Sequence, residues 1–376
     1  MNSIIVNIYY GSIGNAGSYI HKIIEAQNMS KIPNLSIVNY RYIFDDDNCY
    51  KIFFRFSESV KNKNIRKMIK FIEYYIDYYK IFMLIRSLSH RYDKIYIDYS
   101  LNENFIFNYQ FLKLIKTLRN ASLVITIHDV IPMTSNYPQI MKKTLREFLD
   151  LADSFIVHNN YTADILANEY NIESKHIYRI AFPLMDIGNA GENTEVEGNG
   201  KIIFLFIGSF RKEKGLDVLI NAWNKIKDDF DNAILVIAGK IPKEYEHSLD
   251  SNKRIKVVNR YLSDREYIKY IAHSDYVVLP YIGGTNSGVL SNVTALGKPA
   301  ITSDIEMFKE SKLNLKRLMF SLRDQDALYK MMRQRIENYD EEYKGICEEV
   351  KKLTIRYNDS FKKDVEIAFS QILMGK

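Results

Sequence analysis

The sequence predicts an α/β protein with two doubly wound, Rossmann-like domains that face a cleft. Short runs rich in Ile and Val alternate with longer segments of helical periodicity, and such runs are typical of parallel strands covered on both faces. The alternation restarts after a stretch at 186–200 that is rich in Gly, Asn and Glu and cannot pack a core. The 376 residues also exceed the length at which a single core stops growing.

The predicted strands are the short apolar runs, and the periodic segments between them, such as Leu216–Asp228 and Asp264–His273, are predicted helices. Ligands bind at the carboxyl ends of the strands in open parallel sheets, so we expect the functional residues there. The clearest predicted strands are Ser3–Tyr10, Lys94–Tyr99, Ser122–Ile127, Ser154–Val157, Ile202–Ile207, Ala233–Ala238, Lys256–Val258 and Tyr276–Leu279.

This pattern divides the chain into four parts. We expect an N-terminal domain over 1–185, a linker over 186–200 and a C-terminal domain over 201–355. A final helix over 356–376 could cross back to the first domain.

The composition is that of an ordinary soluble protein, with 47% apolar and 26% charged residues. The net charge of +6 is mild, and no zinc finger or RNA-recognition motif is present, so we expect no nucleic-acid partner. Only two cysteines occur, Cys49 and Cys347, which favours a reducing compartment. The sequence has no secretory signal pattern and no run of about 18 apolar residues. We therefore predict a cytoplasmic protein, at most peripheral on the inner face of the membrane.

The strongest local motif is Phe204–Gly215 (FLFIGSFRKEKG), in which an apolar strand ends at Gly208 and a helix begins near Gly215. Arg211 and Lys214 lie in the loop between them. Amides at a helix N-terminus together with cationic side chains form an anion site suited to a diphosphate. The alternative is an ordinary charged loop.

A second motif spans Val277–Ile301, where a strand runs into a loop rich in Gly and small polar residues. A predicted helix, Val289–Leu296, follows this loop and ends at Gly297, as expected of a C-cap glycine. Such a loop lets backbone amides approach a ligand closely while hydroxyl groups bond to it. A plain tight turn would need only one or two of the glycines, so a binding role is favoured.

The segment 201–310 resembles the C-terminal domain of GT-B glycosyltransferases, specifically the retaining family 4 type. The segments that match in order and spacing are Gly208–Gly215, Leu235–Gly239, His273–Tyr281, Gly283–Gly288 and Thr294–Ile301. The resemblance implies that the C-terminal domain over 201–355 binds a nucleotide-sugar donor and that the N-terminal domain over 1–185 binds the acceptor. The donor-binding residues that it and the two motifs indicate are Gly208, Ser209, Arg211, Lys214, Gly284, Thr285, Asn286, Ser287, Gly288, Val289 and Ser291.

The N-terminal half matches the same family more loosely, through Val124–Pro132 (VITIHDVIP) and Leu151–Leu166 (LADSFIVHNNYTADIL). The resemblance implies that His128 borders the transfer site and that Asp129 orients it or binds acceptor, so both are catalytic candidates. A structural loop pair is the alternative. The resemblance also places the loop Gly11–Gly17, with Gly14 and Asn15, near the acceptor or the donor phosphates; its glycines could equally form a turn.

The chain departs from the family at two places. Retaining members usually carry two Glu eight residues apart across the Gly-rich loop, and Gly283 and Ser291 stand at those positions here. Ser209 replaces the common Arg, although Lys214 is retained. The resemblance therefore supports donor binding more firmly than donor identity, and it leaves room for a subunit that has lost catalysis.

Two further stretches have competing interpretations. The segment Tyr42–Asp47 (YIFDDD) is similar to the metal motif of the GT-A class, with Asp45 and Asp47 as ligands, but a solvated loop explains it equally and the GT-A hypothesis leaves 201–310 unexplained. Lys61–Arg91 is basic and aromatic; it is either a surface helix packed on the core or an attachment to anionic lipid.

Taken together, the sequence predicts transfer of a hexose from a nucleoside diphosphate sugar to a saccharide or polyprenyl-linked acceptor, in cell-surface polysaccharide synthesis. The resemblance implies retention of anomeric configuration, and we expect no metal and no cofactor because cationic side chains can hold the diphosphate. A sugar-nucleotide epimerase and a non-catalytic partner that binds nucleotide sugar remain as alternatives.

Overall fold

The computed structural model describes residues 2–11, 15–100, 105–128, 145–185, 200–242, 245 and 254–375. The chain divides into two compact units. The first comprises Met1–Pro183 together with Ser360–Lys376, and the second comprises Leu184–Asp359. Of the predicted linker, residues 186–199 lie outside the described residues.

The first unit contains a parallel seven-stranded sheet in the order β3-β2-β1-β4-β5-β6-β7. Tyr74, Tyr78, Ile81, Ile85 and Leu88 of α2 belong to the core of this unit. The strands are β1 (Ser3–Tyr9), β2 (Asn34–Asn39), β3 (Cys49–Phe53), β4 (Lys94–Ser100), β5 (Ala121–Thr126), β6 (Ser154–Val157) and β7 (Ile177–Arg179). The helices are α1 (Asn15–Met29), α2 (Lys63–Ser89), α3 (Phe105–Ile115) and α4 (Asn160–Tyr170).

The second unit repeats this plan with a parallel six-stranded sheet in the order β10-β9-β8-β11-β12-β13. Its strands are β8 (Ile202–Ile207), β9 (Ala233–Ala238), β10 (Ile255–Val258), β11 (Tyr276–Leu279), β12 (Ala300–Ser303) and β13 (Met319–Phe320). Its helices are α5 (Leu216–Asp229), α6 (Asp264–His273), α7 (Gly288–Ala295), α8 (Glu306–Glu310) and α9 (Gln325–Glu337).

Both sheets are doubly wound, and their strand order reverses between β1 and β4 in the first unit and between β8 and β11 in the second. The predicted fold class of two α/β sheets is confirmed. The strand β8 (IIFLFI) is buried along its whole length, and Trp223 of α5 is fully buried beside Phe204. The continuous apolar run of β8 thus forms a central strand that is covered on both faces of the sheet.

The last helix, α10 (Tyr339–Met374), is a single element of 36 residues. Up to Asp359 it belongs to the second unit, and from Ser360 it belongs to the first. Among the described residues, no helix is both long enough and apolar enough to cross a bilayer.

Candidate functional site

The two donor-loop motifs of the second unit pack directly on each other. Gly215 has φ 65° and follows the basic loop, and a Cβ at this position would lie 1.9 Å from the carbonyl oxygen of Pro280. Gly239 follows β9 with φ 142°, and a Cβ there would lie 2.1 Å from the carbonyl oxygen of Gly208. Real Cβ atoms do not tolerate such distances, so these glycines are needed where backbone meets backbone.

A backbone bond and an aromatic contact hold the basic loop beside the strand end. The amide of Ile282 donates to the carbonyl of Glu213 at 2.8 Å. The Nζ atom of Lys214 lies 3.7 Å from the ring centroid of Tyr281, close enough for a cation–π interaction. Burial raises the pKa of Tyr281, whose hydroxyl also hydrogen-bonds Ser287. Lys214 is thus held between the two motifs.

The Gly-rich loop leads into α7, which starts opposite Gly208. Ser287 is the N-cap residue, and its hydroxyl accepts from the amide of Leu290 at 3.2 Å. A Cβ at Gly208 would lie 3.5 Å from a γ-methyl of Val289. The first amides of a helix have no intrahelical acceptor and attract anions. The geometry therefore brings Gly208, Lys214 and the first turn of α7 together, as the motifs predict.

Not every predicted donor residue has the same surroundings. Ser291 is fully buried, and its Oγ accepts a hydrogen bond from the amide of Met185 at 3.2 Å. Arg211 is exposed and its Nε lies 3.1 Å from Glu213 Oε1, so part of its charge is offset. Thr285 is buried, whereas Ser209, Gly284, Asn286 and Gly288 retain some exposure.

In the first unit, polar side chains cluster at the carboxyl edge of the sheet around His128. The Nε2 atom of His128 lies 2.9 Å from Ser100 Oγ, and its Nδ1 lies 3.0 Å from His158 Nε2. The Nδ1 atom of His158 lies 2.9 Å from the carbonyl oxygen of Ile180. Burial lowers the pKa of His128 to about 4, so its imidazole is neutral at physiological pH.

Aromatic rings surround the two histidines. The ring centroid of Tyr19 lies 4.6 Å from that of His128, and Phe182 lies 5.1 Å from His158, both edge-on. Tyr9 stacks on Tyr19 at 5.8 Å. Polar groups bordered by aromatic rings suit a carbohydrate ligand, which offers hydroxyl groups and apolar C–H faces.

A buried carboxylic acid lies beneath this cluster. Asp98 accepts a hydrogen bond from Thr126 Oγ1 at 2.6 Å, and its charge acts on Tyr9 and Tyr19. Burial raises the pKa of Asp98 from 3.8 to about 6 despite the bond from Thr126. Asp98 lies in the middle of β4 and belongs to no sequence motif.

The cluster also contains candidate site residues that no sequence motif marks, namely Ser100, His158, Tyr9 and Tyr19. They stand alone at strand ends or within α1, without a spacing that marks them. His158 lies within Leu151–Leu166, the segment that resembles the family, but the resemblance implies no role for this histidine. Asp129 and Gly14 lie outside the described residues, and Asn15 is the first residue of α1.

The middle residue of the acidic triplet after β2 is bonded to neighbouring side chains. Asp45 and Asp47 are exposed, whereas Asp46 lies 3.0 Å from His21 Nδ1 and accepts from the hydroxyl of Tyr42. Burial raises the pKa of Asp46, but these two hydrogen bonds outweigh it and lower the pKa below its usual value. No group of three or more metal-ligating side chains occurs within the described part of the chain.

Helix α2 has a second apolar face that points to solvent. Its core side chains lie on one side, while Met68, Ile72, Tyr75, Ile76 and Tyr79 are each about half exposed or more, from 47% to 64%. These positions recur at the spacing of one helix face. One face of α2 thus packs on the core, as the surface-helix hypothesis predicts, and attachment of the exposed face to lipid stays a prediction.

Two family models match the chain. The model of group 1 glycosyl transferases matches residues 192–352, and the model of the glucosyltransferase 3-like N-terminal domain matches residues 3–179. No curated protein matches the sequence.

Solved structures resemble the whole chain at low sequence identity. A glycosyltransferase from Rickettsia africae covers 100% of both chains with a TM-score of 0.67 and 16% identity. HepE from Anabaena in complex with UDP covers 100% of both chains with a TM-score of 0.63 and 12% identity, and it was also solved with UDP-glucose. The match to sucrose-phosphate synthase from Thermosynechococcus elongatus covers 100% of this chain and 99% of the synthase chain, with a TM-score of 0.64 and 12% identity. The chain thus has the GT-B fold and not the fold of the GT-A class.

Proposed function

Since the fold and both family models support a GT-B glycosyltransferase, we propose that the chain transfers a hexose from a nucleoside diphosphate sugar to a saccharide or polyprenyl-linked saccharide. The observation that carries this proposal is the meeting of Gly208, Lys214 and the first turn of α7 at the carboxyl edge of the second sheet. The comparison proteins solved with UDP and UDP-glucose agree with such a donor. We further propose a role in cytoplasmic synthesis of cell-surface polysaccharide.

The chemistry that these residues offer is stabilisation of the leaving diphosphate. Negative charge develops on the diphosphate as the bond to the sugar breaks, and fixed donors and cations lower the energy of that state. Lys214 and the amides of Gly288 and Val289 would supply them, with Arg211 as a second cation. These groups can act without a metal ion, so we propose that none is required. Retention of configuration follows from the resemblance of 201–310 alone.

Binding of nucleoside diphosphates to Lys214→Ala and Arg211→Ala tests the donor site. Loss of one charge-assisted phosphate bond should cost about 1.5–3 kcal/mol, or roughly a ten- to hundredfold loss of affinity. We expect the smaller loss for Arg211→Ala because Glu213 already offsets part of its charge. Titration calorimetry with UDP, ADP and GDP measures both variants.

The matched control is Lys225→Ala, which removes the same charge from α5, where Lys225 pairs with Asp326. This control should bind as the wild type does. Unchanged affinity in Lys214→Ala and Arg211→Ala would refute the diphosphate site. Nucleoside diphosphate release with and without added saccharide then separates transfer from binding alone, since a non-catalytic partner would bind the donor and release no product.

We also propose that the exposed face of α2 docks on an anionic membrane that holds a polyprenyl-linked acceptor. Five exposed apolar side chains on this face could enter the lipid boundary, and exposed Arg66 and Lys67 lie next to Met68 at its start. A cavity of about 300 Å³ between α2 and α3, lined by Tyr75, Tyr79 and Leu114 among others, adjoins it. Each cation near an anionic leaflet contributes about 1 kcal/mol, and the apolar part is insensitive to salt.

Co-sedimentation with vesicles of phosphatidylcholine, with and without phosphatidylserine, measures this docking. Arg66→Glu with Lys67→Glu should weaken binding to anionic vesicles at least tenfold, and Ile72→Ser with Ile76→Ser should remove the part that survives high salt. Lys344→Glu with Lys352→Glu makes the same charge change at exposed positions of α10 in the second unit. Equal, negligible binding to both kinds of vesicle would refute the docking proposal and favour a soluble acceptor.

A further inference from the structure

A row of hydrogen-bonding groups crosses the carboxyl edge of the first sheet in the order of its strands. Tyr9 ends β1, Ser100 ends β4, His128 follows β5, His158 follows β6, and the carbonyl of Ile180 follows β7. These five strands are consecutive neighbours in the sheet. The sheet therefore sets the spacing of the row, with one group from each strand.

The direction of the row is fixed at its Ile180 end. A carbonyl oxygen only accepts, so the Nδ1 atom of His158 must carry a hydrogen. A neutral His158 then has a lone pair on Nε2, and His128 donates its Nδ1 hydrogen to it across 3.0 Å. The opposite assignment would put a second proton, and a positive charge, on His158, whose side chain is only 6% exposed. Burial makes that charge costly.

The same logic continues toward β1. With its hydrogen on Nδ1, His128 accepts at Nε2, so the Ser100 hydroxyl donates across the 2.9 Å that separate them. The hydroxyl of Tyr9 also hydrogen-bonds Ser100. From Ser100 to His158, each donor therefore points toward Ile180, and both imidazoles are neutral. The lowered pKa of His128 agrees with this, because burial disfavours its cation.

We propose that the Ile180 carbonyl and His158 hold His128 as the neutral Nδ1–H tautomer, so that His158 is a positioning residue and His128 a fixed hydrogen-bond acceptor rather than a proton-transfer group. The hydroxyl hydrogen of Ser100 is oriented by the same row. This inference rests on the proposed function only in assigning the edge of the first sheet to a sugar ligand.

Long-range ¹⁵N–¹H correlation spectra of the full chain with labelled histidine test the proposal, because the two ring nitrogens give distinct shifts when protonated or not. The chain has 7 histidines, and His128→Gln and His158→Gln assign the two of interest. We expect His128 to be an Nδ1–H tautomer that does not titrate between about pH 5 and 8, the range in which ordinary imidazoles do. Spectra of the wild-type protein are enough to overturn the proposal, if they show His128 as the Nε2–H tautomer or titrating in this range.

Variants at either end of His128 identify the residue that sets its tautomer. His158→Leu removes the acceptor for Nδ1–H, and we expect the Nε2–H form of His128 to appear. His158→Gln supplies an amide oxygen in its place and should restore the wild-type tautomer. Ser100→Ala should leave it unchanged, because the row is directed from Ile180. If instead Ser100→Ala shifted the tautomer and His158→Leu did not, Ser100 would be the orienting residue and the proposal would fail.

These spectra need no substrate, so their outcome is separate from that of the donor-binding experiment. A correct tautomer with no nucleoside diphosphate affinity would leave the row intact and remove the proposed function. Donor binding together with a His128 that titrates would support the proposed function and refute the proposed tautomer.

Discussion

Asp98→Asn should stabilise the protein at neutral pH, and the gain should grow as the pH rises. The carboxyl group is buried beneath the His128 cluster, and its pKa is about 6 in the folded chain against 3.8 in an ordinary setting. A folded pKa above the unfolded one means that the folded state binds the proton more tightly. The contribution of Asp98 to stability is therefore full below about pH 4 and is lost as the pH rises through 6. A difference of about 2 in pKa corresponds to about 3 kcal/mol.

Asparagine has nearly the same shape and keeps an oxygen that can accept from Thr126, but it does not ionise. Urea unfolding of both proteins from about pH 4 to 8 gives the difference in the free energy of unfolding, Asp98→Asn minus wild type, which should rise by about 3 kcal/mol. Asp150→Asn is the control, since exposed Asp150 pairs with Arg146 and such pairs contribute little. A difference that stays level with pH would show that Asp98 is ionised at little cost and would refute the argument.

Three further outcomes follow from the second unit and from the proposed chemistry. Gly215→Ala should weaken nucleoside diphosphate binding and destabilise the fold, because its Cβ would collide with the Pro280 carbonyl. The matched control is Gly283→Ala, where a Cβ meets no described atom within 4 Å. Equal unfolding midpoints for the two variants would refute this prediction. Gly283→Glu should fold with a free energy of unfolding within about 0.5 kcal/mol of wild type, as urea unfolding measures, and a larger loss would mean that the position is closed to a side chain. Donor turnover should survive EDTA, and its loss with recovery on adding manganese would reopen the question of a metal.

The strands that are easiest to predict from the sequence consist of apolar residues, which can be buried without a hydrogen-bonding partner from elsewhere in the chain. Continuous runs such as Ile202–Ile207 were recognisable because both faces are covered by apolar neighbours. The strand β2 was missed because polar Asn34, Ser36 and Asn39 interrupt it, although all three are buried. Ser36 accepts from Asn7 and Asn39 donates to the carbonyl of Tyr10, and these partners are distant in sequence. Only the folded chain reveals that such polar positions belong to a core.

The candidate sites divide in the same way. The donor motifs are contiguous, so their glycines and cations could be found from local spacing, and the structure brings the predicted Gly208, Lys214 and α7 together. The row at the edge of the first sheet draws one residue from each of five neighbouring strands, and about 30 residues separate Ser100 from His128 and His128 from His158. No local pattern can mark residues whose adjacency is created by strand pairing.

The division of α10 between the two units bears on how the chain folds as it leaves the ribosome. Residues 360–375 belong to the first unit, and Phe361, Val365 and Phe369 among them are buried. The amide of Ala181 also donates to Asp364 in this segment, at 3.4 Å. The first unit to be translated therefore has to wait for a segment translated after the whole of the second. During that interval its unfinished surface is a natural substrate for chaperones, and a ribosome stalled after residue 359 would hold an N-terminal unit that is incomplete although all of its strands have been made.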